Sequence, residues 1–323
     1  MPPLTDSAQT AAPAPSPTSS SGANAWSRAL LAAQDTSAHQ HHPTRTLYVV
    51  ATPIGNLSDI TLRALHVLQL CDVIACEDTR HTQQLLRAYG MERSSAQLLA
   101  LHQHNEHEAA QTVIERLTQG QRVAYVSDAG TPAVSDPGAR LVEAVRNAGL
   151  RVLPLPGASS ITTALSASGM TGDQGFVFVG FLPHKATERH HAVQRLASES
   201  RAIVLLEAPH RIEALAQALS VLGERRVTVG RELTKQFENI DTLAAAELPT
   251  WLAAKPERQR GEFVLVIHDA PAVSAQGDGL RVLQLLLPEL PLKTAVKLAA
   301  EISGESKNTL YDHALQLKNA NTD

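Results

Sequence analysis

Short apolar runs alternate with helical stretches from Thr46 onward. Uninterrupted β-branched and aliphatic runs are typical of buried strands, and apolar residues spaced three and four apart are typical of helices that cover a sheet. In the first half, the predicted strands are LYVVA (47–51), DVIAC (72–76), RVAYVS (122–127) and RVLPL (151–155). The predicted helices are ITLRALHVLQ (60–69), RHTQQLLRAYG (80–90), EHEAAQTVIERLTQG (106–120) and GARLVEAVRNAG (138–149). This alternation predicts a mostly parallel sheet covered by helices.

A second unit of the same kind is predicted to begin near Gly157 and to close near His268. Its predicted strands are GFVFVGF (175–181), AIVLLE (202–207), RVTVGRE (226–232) and GEFVLVI (261–267). Its predicted helices are KATERHHAVQRLAS (185–198) and HRIEALAQALSVLG (210–223). Three short helices are predicted after a polar joint, in LRVLQLLLP (280–288), LKTAVKLAAEISG (292–304) and SKNTLYDHALQL (306–317). We therefore expect the α/β class, with domains at 46–156 and 157–270 and a helical module at 279–323.

Residues 1–45 differ from the rest of the chain because they are rich in Ala, Pro, Ser and Thr. So few large apolar groups do not offset the entropy of ordering, and a disordered tail is expected. His39, His41 and His42 close this segment, and metal binding is an alternative for them. Exposed His clusters without Cys or carboxylate partners are more often incidental, so no metal site is predicted.

The net charge and the cysteine content bear on the class of substrate and on the cellular compartment. The formal net charge of -4 lacks the basic excess that marks non-specific nucleic-acid binding, which counts mildly against an RNA substrate. A local basic face can still contact phosphates. Cys71 and Cys76 have no second Cys pair to complete a zinc site, so buried free thiols in a reducing cytosol are expected. No apolar run has membrane-spanning length and no secretory signal is recognisable, which predicts a cytoplasmic protein without membrane contact.

The loops after the predicted strands carry the candidate chemistry. Neither GxGxxG after the first strand nor a Walker A sequence is present, which weighs against dinucleotide-binding and P-loop enzymes. Ligands of open α/β sheets bind at the carboxyl ends of the strands. Gly and Pro bend and preset the loop SDAGTPAVSDPG (127–138), so that its main chain can face a ligand; a plain connector is the less favoured alternative. The strand-end sequences are ATPIGNLSD (51–59), EDTRHT (77–82), VSDAGTPAVSDPG (126–138) and PGASSITTALSASG (156–169).

Seven sequences in a fixed order carry a family resemblance. They are TPIGNLSDIT, EDTRHT, SDAGTPAVSDPG, PGASS, EAPHRI, GRELTK and GEFVLVI. The chain over residues 46–268 resembles the tetrapyrrole-methylase superfamily, and within it the bacterial members that methylate ribosomal RNA. The helical tail is similar as well, whereas the first 45 residues have no counterpart in the family pattern.

The resemblance implies two αβα domains of the class III methyltransferase type with a cleft between them. It also implies a homodimer that uses S-adenosylmethionine to form 2′-O-methylcytidine in the 16S ribosomal RNA of the small subunit. Tetrapyrrole relatives methylate precorrin rings instead. The residues that the resemblance assigns to the donor are Pro53, Ile54, Gly55, Ser127, Asp128, Ala129, Gly130, Thr131, Ala158, Ser159, Gly180, Phe181, Glu207 and Ala208.

Methyl transfer from a sulfonium is an in-line displacement, so the protein must bind the donor, align the acceptor and exclude water. A carboxylate, His or Lys near a ribose hydroxyl can assist as a general base. The candidates are Glu77, Asp78, Asp128, Glu207, His210, Glu232 and Lys235, and the sequence does not choose among them. For Glu77 and Asp78 a capped helix start with an ion pair to Arg80 is an equal alternative, because Asp78 or Thr79 is a good N-cap.

Substrate contacts are less sharply predicted. In LHQHNEH, His102 to Glu106 either orient substrate or form a helix cap through Asn105, and the cap is favoured. Aromatic residues make up only 3% of the chain, so stacking platforms for bases are sparse and recognition by RNA shape is expected. Candidate phosphate contacts are Lys185, Arg189, Arg211, Arg225, Arg226, Arg231 and Lys235, with Lys293, Lys297, Lys307 and Lys318 in the tail. The rival functions are methylation of a tetrapyrrole or other small molecule, and a non-catalytic RNA-binding assembly factor.

Overall fold

A computed structural model describes residues 20–102, 104–135, 137–172, 174–270 and 278–320. The chain divides into two compact units that meet between Ser159 and Ser160, slightly later than the predicted boundary at 156. The α/β class with two sheets and a helical tail is confirmed. None of the helices in the described part is long and apolar enough to cross a membrane.

Unit 1 is a parallel sheet with helices on both faces. The strands are β1 (Thr46–Val50), β2 (Val73–Cys76), β3 (Leu98–Ala100), β4 (Arg122–Val126) and β5 (Arg151–Leu155). The helices are α1 (Ser20–His39), α2 (Leu62–Leu70), α3 (Thr79–Ala88), α4 (Glu106–Thr118) and α5 (Ala139–Asn147). The strand order is β3-β2-β4-β1-β5 and every pairing is parallel. The carboxyl ends of all five strands therefore share one edge of the sheet.

The core of unit 1 explains why its strands are apolar on both sides. Side chains of β1 and β4 alternate between two clusters, with Leu47 and Tyr125 on one face and Tyr48 and Val126 on the other. A parallel sheet covered on both faces buries nearly every strand residue. Burial raises the pKa of the Cys71 thiol to about 12 and that of Cys76 to about 11, so both predicted thiols are buried and unreactive.

The predicted disorder of residues 1–45 is wrong for Ser20–His39, which form α1; residues 1–19 lie outside the described part of the chain. The prediction averaged the composition of a Pro- and Ser-rich start with a segment rich in Ala and Leu, which are good helix formers. Leu30, Ala33 and Ser37 are its less exposed positions, spaced along one side, and α1 packs against α2. His42 receives a structural role, because its Nε2 lies 2.9 Å from the Ser37 carbonyl oxygen.

Unit 2 begins with a mixed sheet. Its strands are β6 (Phe176–Gly180), β7 (Ala202–Glu207), β8 (Arg226–Arg231), β9 (Asn239–Ala244) and β10 (Phe263–Ile267). Its helices are α6 (Ser160–Ala167), α7 (Ala186–Ala197), α8 (Ile212–Leu219) and α9 (Leu248–Ala253). The strand order is β6-β7-β10-β8-β9, and β10 runs antiparallel to both β7 and β8. Strands β6, β7 and β8 consequently point the same way, and their carboxyl ends share one edge.

The chain closes with the three predicted helices. They are α10 (Asp278–Leu286), α11 (Leu292–Ser303) and α12 (Lys307–Ala320). Leu283, Val296 and Leu310 contribute one side chain from each helix to a small apolar core of their own. Gly304 ends α11 with φ 73°, a left-handed conformation that glycine adopts without strain, and the chain turns at once into α12.

Candidate active site

Three loops at the carboxyl edge of the unit 1 sheet are joined by hydrogen bonds. Thr52, after β1, and Gly130, after β4, form a main-chain bridge with N···O distances of 2.9 and 3.0 Å. The hydroxyl of Thr52 donates to the Ser127 carbonyl at 3.2 Å, and that of Thr131 donates to the Ala158 carbonyl at 3.1 Å. The loops after β1, β4 and β5, which the sequence predicted as ligand loops, therefore lie together.

Two glycines permit this close approach. A Cβ added to Gly157 would lie 2.8 Å from the Cβ of Ala51, which is closer than side chains pack. Gly130 has φ 79°, and an added Cβ would lie 3.3 Å from Ile54 Cγ2. Without side chains at these positions, the loop main chain can approach its neighbours and a ligand.

Three predicted carboxylates gather where β2 and β4 end. The Asp128 N–H donates to Glu77 Oε2, and the Asp78 N–H donates to Asp128 Oδ1, both at 3.4 Å. Asp78 is also the N-cap of α3 and accepts from the Arg80 N–H at 2.8 Å. The side chain and the main chain of Arg80 hold the pKa of Asp78 well below its ordinary value. Asp78 therefore acts as a cap and is a poor proton acceptor.

The far end of the 127–138 loop is anchored by two residues that the sequence did not single out for this task. Glu106, only 8% exposed, accepts the Gly138 N–H at 2.9 Å. The hydroxyl of the buried Tyr125 donates to the Pro137 carbonyl. Asn105 stands at the N-cap position of α4, as predicted, but its side chain accepts from the His102 N–H instead of the helix. The loop is thus fixed at both ends.

Glu207 lies at the end of β7, on the carboxyl edge of the unit 2 sheet. It is 3% exposed, and its Oε1 lies 3.1 Å from Arg211 Nε and accepts the Ala208 N–H at 2.9 Å. Its Oε2 is buried without a hydrogen-bond partner. Arg211 is fixed in turn, because its guanidinium donates to the Leu182 carbonyl. A buried carboxylate oxygen without a donor is costly, and a bound donor group would relieve that cost.

Glu232 and Lys235 belong to an ion-pair cluster in the loop after β8. The Lys235 ammonium lies 2.9 Å from both Glu232 Oε1 and Glu262 Oε2, and the Glu262 N–H donates to Glu232 at 2.9 Å. Burial acts against both charges, but these hydrogen bonds lower the pKa of Glu232 and raise that of Lys235. Lys235 therefore stays protonated and is unsuited as a base. Its role in this cluster is to fix the loop.

The predicted residues fall into two groups, one on each sheet's carboxyl edge. Exposure varies within the groups: Gly55, Ala129, Phe181 and His210 are exposed, while Ser127 and Gly180 are buried. Unit 1 holds Pro53, Ile54, Gly55, Glu77, Asp78, Ser127, Asp128, Ala129, Gly130, Thr131, Ala158 and Ser159. Unit 2 holds Gly180, Phe181, Glu207, Ala208, His210, Glu232 and Lys235.

Several predicted phosphate contacts instead bind the protein's own main chain. Arg225 donates to the carbonyls of His268, Leu196 and Arg201, at 2.8 to 3.1 Å. Arg231 donates to the Phe237 carbonyl at 2.9 Å. These guanidiniums shape loops and are not available to a polyanion. Within the described residues, no group of three His, Cys, Asp or Glu side chains could hold a metal ion.

Comparison with known proteins identifies two families along the chain. Residues 46–249 match the Tetrapyrrole (Corrin/Porphyrin) Methylases, and residues 273–318 match the RsmI C-terminal HTH domain. Ribosomal RNA small subunit methyltransferase I of Escherichia coli O157:H7 is 48% identical over 274 residues, covering 84% of this chain and 94% of that protein. The protein of the same name from Neisseria meningitidis serogroup B is 48% identical over 280 residues, covering 85% and 94%.

Solved structures share the fold at low sequence identity. Diphthine synthase aligns with a TM-score of 0.52 at 16% identity, covering 69% of this chain and 90% of that one. The methyltransferase CobJ aligns with a TM-score of 0.51 at 18% identity, covering 69% and 94%. These likenesses confirm the predicted class of fold. The sequence matches confirm the resemblance that the strand-end motifs indicated.

Proposed function

Because the chain belongs to the ribosomal RNA small subunit methyltransferase I family, within the Tetrapyrrole (Corrin/Porphyrin) Methylases, we propose that it methylates 16S ribosomal RNA. The reaction is transfer from S-adenosylmethionine to the ribose 2′-oxygen of a cytidine in the small subunit. A homodimer acting in the cytoplasm belongs to the same proposal. The identity of 48% over 84% of the chain is the observation that carries it.

The residues present fit a donor of this kind. The hydrogen-bonded loops of unit 1 place main-chain groups side by side at one edge, and glycine at 130 lets the loops after β1 and β4 approach each other closely. In unit 2, the unpartnered Glu207 Oε2 offers an acceptor for a hydroxyl or ammonium group. We infer that these residues, each at the carboxyl edge of its own sheet, take part in donor binding. S-adenosylmethionine, when bound there, supplies an electrophilic methyl group.

The chain's own task is then to bind, orient and deprotonate the acceptor. Among the predicted bases, Asp78 is committed to the α3 cap, and Glu232 and Lys235 are committed to each other. Asp128 is half-buried and lies near the start of the 127–138 loop. In the described part of the chain, its carboxylate accepts the long bond from the Asp78 N–H. We infer that Asp128 takes the proton of the ribose hydroxyl. Glu207 then serves in donor binding.

The test separates these two roles. In Asp128→Asn, we expect the affinity for S-adenosylmethionine, measured by calorimetry, to stay within about threefold of wild type. Methyl transfer to small ribosomal subunits should fall by about 100-fold or more, as for loss of a general base. In Glu207→Gln, we expect weaker donor binding. If both variants keep the donor affinity and the transfer rate of wild type, the roles proposed for Asp128 and Glu207 are wrong.

The site of methylation is tested independently by mass spectrometry of 16S RNA after reaction. A single new methyl on a cytidine ribose is expected. Methylation of a base, or none at all on subunits while a small-molecule acceptor is methylated, would refute the proposed substrate. No measurable donor binding would favour the non-catalytic assembly factor.

A further inference from the structure

Phe237 is the most exposed large apolar side chain in the part of the chain that the structure describes, at 69%. It lies in the loop between β8 and β9, next to the predicted site residues Glu232 and Lys235. Elsewhere in unit 2, Phe176 and Phe181 are less exposed, at 45% and 52%, and Phe263 is buried. Covering an exposed aromatic ring is favourable, so Phe237 would gain from a partner that lies against it.

The loop that carries Phe237 is held in place. Arg231, itself 9% exposed, donates to the Phe237 carbonyl at 2.9 Å, and Glu238 accepts the Thr234 N–H at 2.6 Å. Glu232 and Thr234 have φ values of 51° and 65°, a left-handed conformation that non-glycine residues rarely adopt. A loop with strained residues and fixed hydrogen bonds is preorganised. The ring is thus presented from a fixed backbone.

Strand direction places this ring on the functional edge of the sheet. Strand β8 runs parallel to β6 and β7, and Arg231 pairs with Phe263, which pairs with Glu207. The loop after β8 therefore leaves the sheet at the same edge as Glu207. Phe237 and Glu207 therefore belong to the same edge of the unit 2 sheet.

The surroundings favour a nucleobase over a protein surface. In its loop sequence, ELTKQFE, Phe237 stands among Glu232, Lys235 and Glu238, so the loop carries one aromatic ring and no run of exposed apolar residues. Stable protein interfaces need such a patch at their centre, whereas one base needs only one flat ring. Lys235, the cation of the loop, is held by two carboxylates, so phosphate attraction is weak here.

We propose that Phe237 stacks on a nucleobase of the RNA substrate and so contributes to substrate binding. This inference rests on the proposed function. Stacking does not depend on a basic face, which agrees with the net charge of -4. It locates a platform for a base where the composition of the chain indicated few.

The experiment compares Phe237→Ala, Phe237→Leu and Phe237→Tyr with Phe176→Ala. Phe176 is a matched control because it is 45% exposed and begins β6, at the opposite edge of the same sheet. The substrate is small ribosomal subunits from cells that lack this methyl group. We expect kcat/KM to fall about 10- to 100-fold in the Ala and Leu variants, mainly through KM, with Tyr and the control near wild type. Calorimetric affinity for S-adenosylmethionine should not change.

Every other result contradicts either the inference about Phe237 or the proposed function. Equal kcat/KM in Phe237→Ala and Phe176→Ala would overturn the inference while leaving the proposed function intact. Loss of donor affinity would overturn it by assigning Phe237 to the donor site, and a change in oligomeric state in Phe237→Ala would overturn it by assigning the ring to a subunit interface. An inactive wild type that binds the donor would refute the proposed function, and the inference with it.

Discussion

Single side chains at the site mainly hold loops in place. Their hydrogen-bond partners are the part of the site that the sequence predicted least. The motif loops and their carboxylates follow directly after strands, as the apolar runs before them indicated. The motifs did not show that Glu106 binds Gly138, or that Glu207 has an oxygen without a partner. Such facts depend on pairs far apart in the sequence, and one sequence carries no signal for them.

The Glu106 anchor leads to a stability prediction. In Glu106→Ala, the Gly138 N–H loses its buried acceptor, and we expect the free energy of unfolding to fall by about 1–3 kcal/mol. Glu106→Gln keeps an acceptor oxygen and should lose less. Urea titration of the three proteins measures this. If Ala and Gln variants unfold together with wild type, the hydrogen bond does not stabilise the loop.

Gly138 gives a second prediction. It has φ 119°, and an added Cβ would lie 2.2 Å from the Tyr125 ring, so Gly138→Ala combines backbone strain with a clash. Gly149 is the control, because it has φ 70° and no atom within 4 Å of an added Cβ. We expect Gly138→Ala to lower Tm clearly more than Gly149→Ala does. Equal Tm values would show that the Tyr125 ring moves aside without cost.

The helices and strands were predicted best where burial alone decides them. Strand β7 coincides with its predicted bounds, because its apolar run is continuous and almost wholly buried. Strand β5 coincides as well, although Leu155 is its one buried residue. Strand β3 has three residues, too few for a pattern to be seen. Strand β9 lies at the sheet edge and reads NIDTLA, with polar residues that do not alternate regularly. Helix α6 was missed because its β-branched residues hide the helical spacing.

The attachment of α1 is predicted to depend on pH. The rings of His42 and His66 lie 4.9 Å apart, and burial, then the charge of His42, lowers the pKa of His66 from 6.5. A docked His66 with a lowered pKa binds protons less readily than a free one. The packing of α1 against α2 is therefore most stable above pH 6.5 and becomes less stable as the pH falls below that value. Below the lowered pKa of His66 its stability changes no further.

Amide hydrogen exchange in α1 measures this dependence, corrected for the intrinsic effect of pH. We expect protection to decrease from neutral pH to about pH 5 in wild type and to change less in His66→Gln. His107→Gln, on the exposed face of α4, serves as the control. A pH response that is the same in all three proteins would exclude the histidine pair as its cause.

The whole molecule combines two sheet units with a helical module that has its own core. Its two units and its family were predictable, because ordered motifs extend over most of the chain. The N-terminal helix was not, because the family pattern has no counterpart for it. The helical module coincides with the match of residues 273–318 to the RsmI C-terminal HTH domain.

Removal of the module is expected to separate the two binding steps. A chain that ends at residue 270 keeps both sheets, so we expect donor affinity by calorimetry to be unchanged. Methyl transfer to small ribosomal subunits should fall by at least about tenfold, because α10–α12 no longer contribute to substrate binding. Full transfer by the shortened chain would show that the module is dispensable for recognition.

The bridge between Thr52 and Gly130 limits how these loops can vary. Its two bonds join peptide groups only, so replacing Thr52 by any residue other than proline leaves both donors and acceptors in place. Inserting or deleting one residue in either loop would instead shift the partners out of register. Homologues and engineered libraries should thus tolerate new side chains at Thr52 while keeping the loop length constant and glycine at 130 and 157.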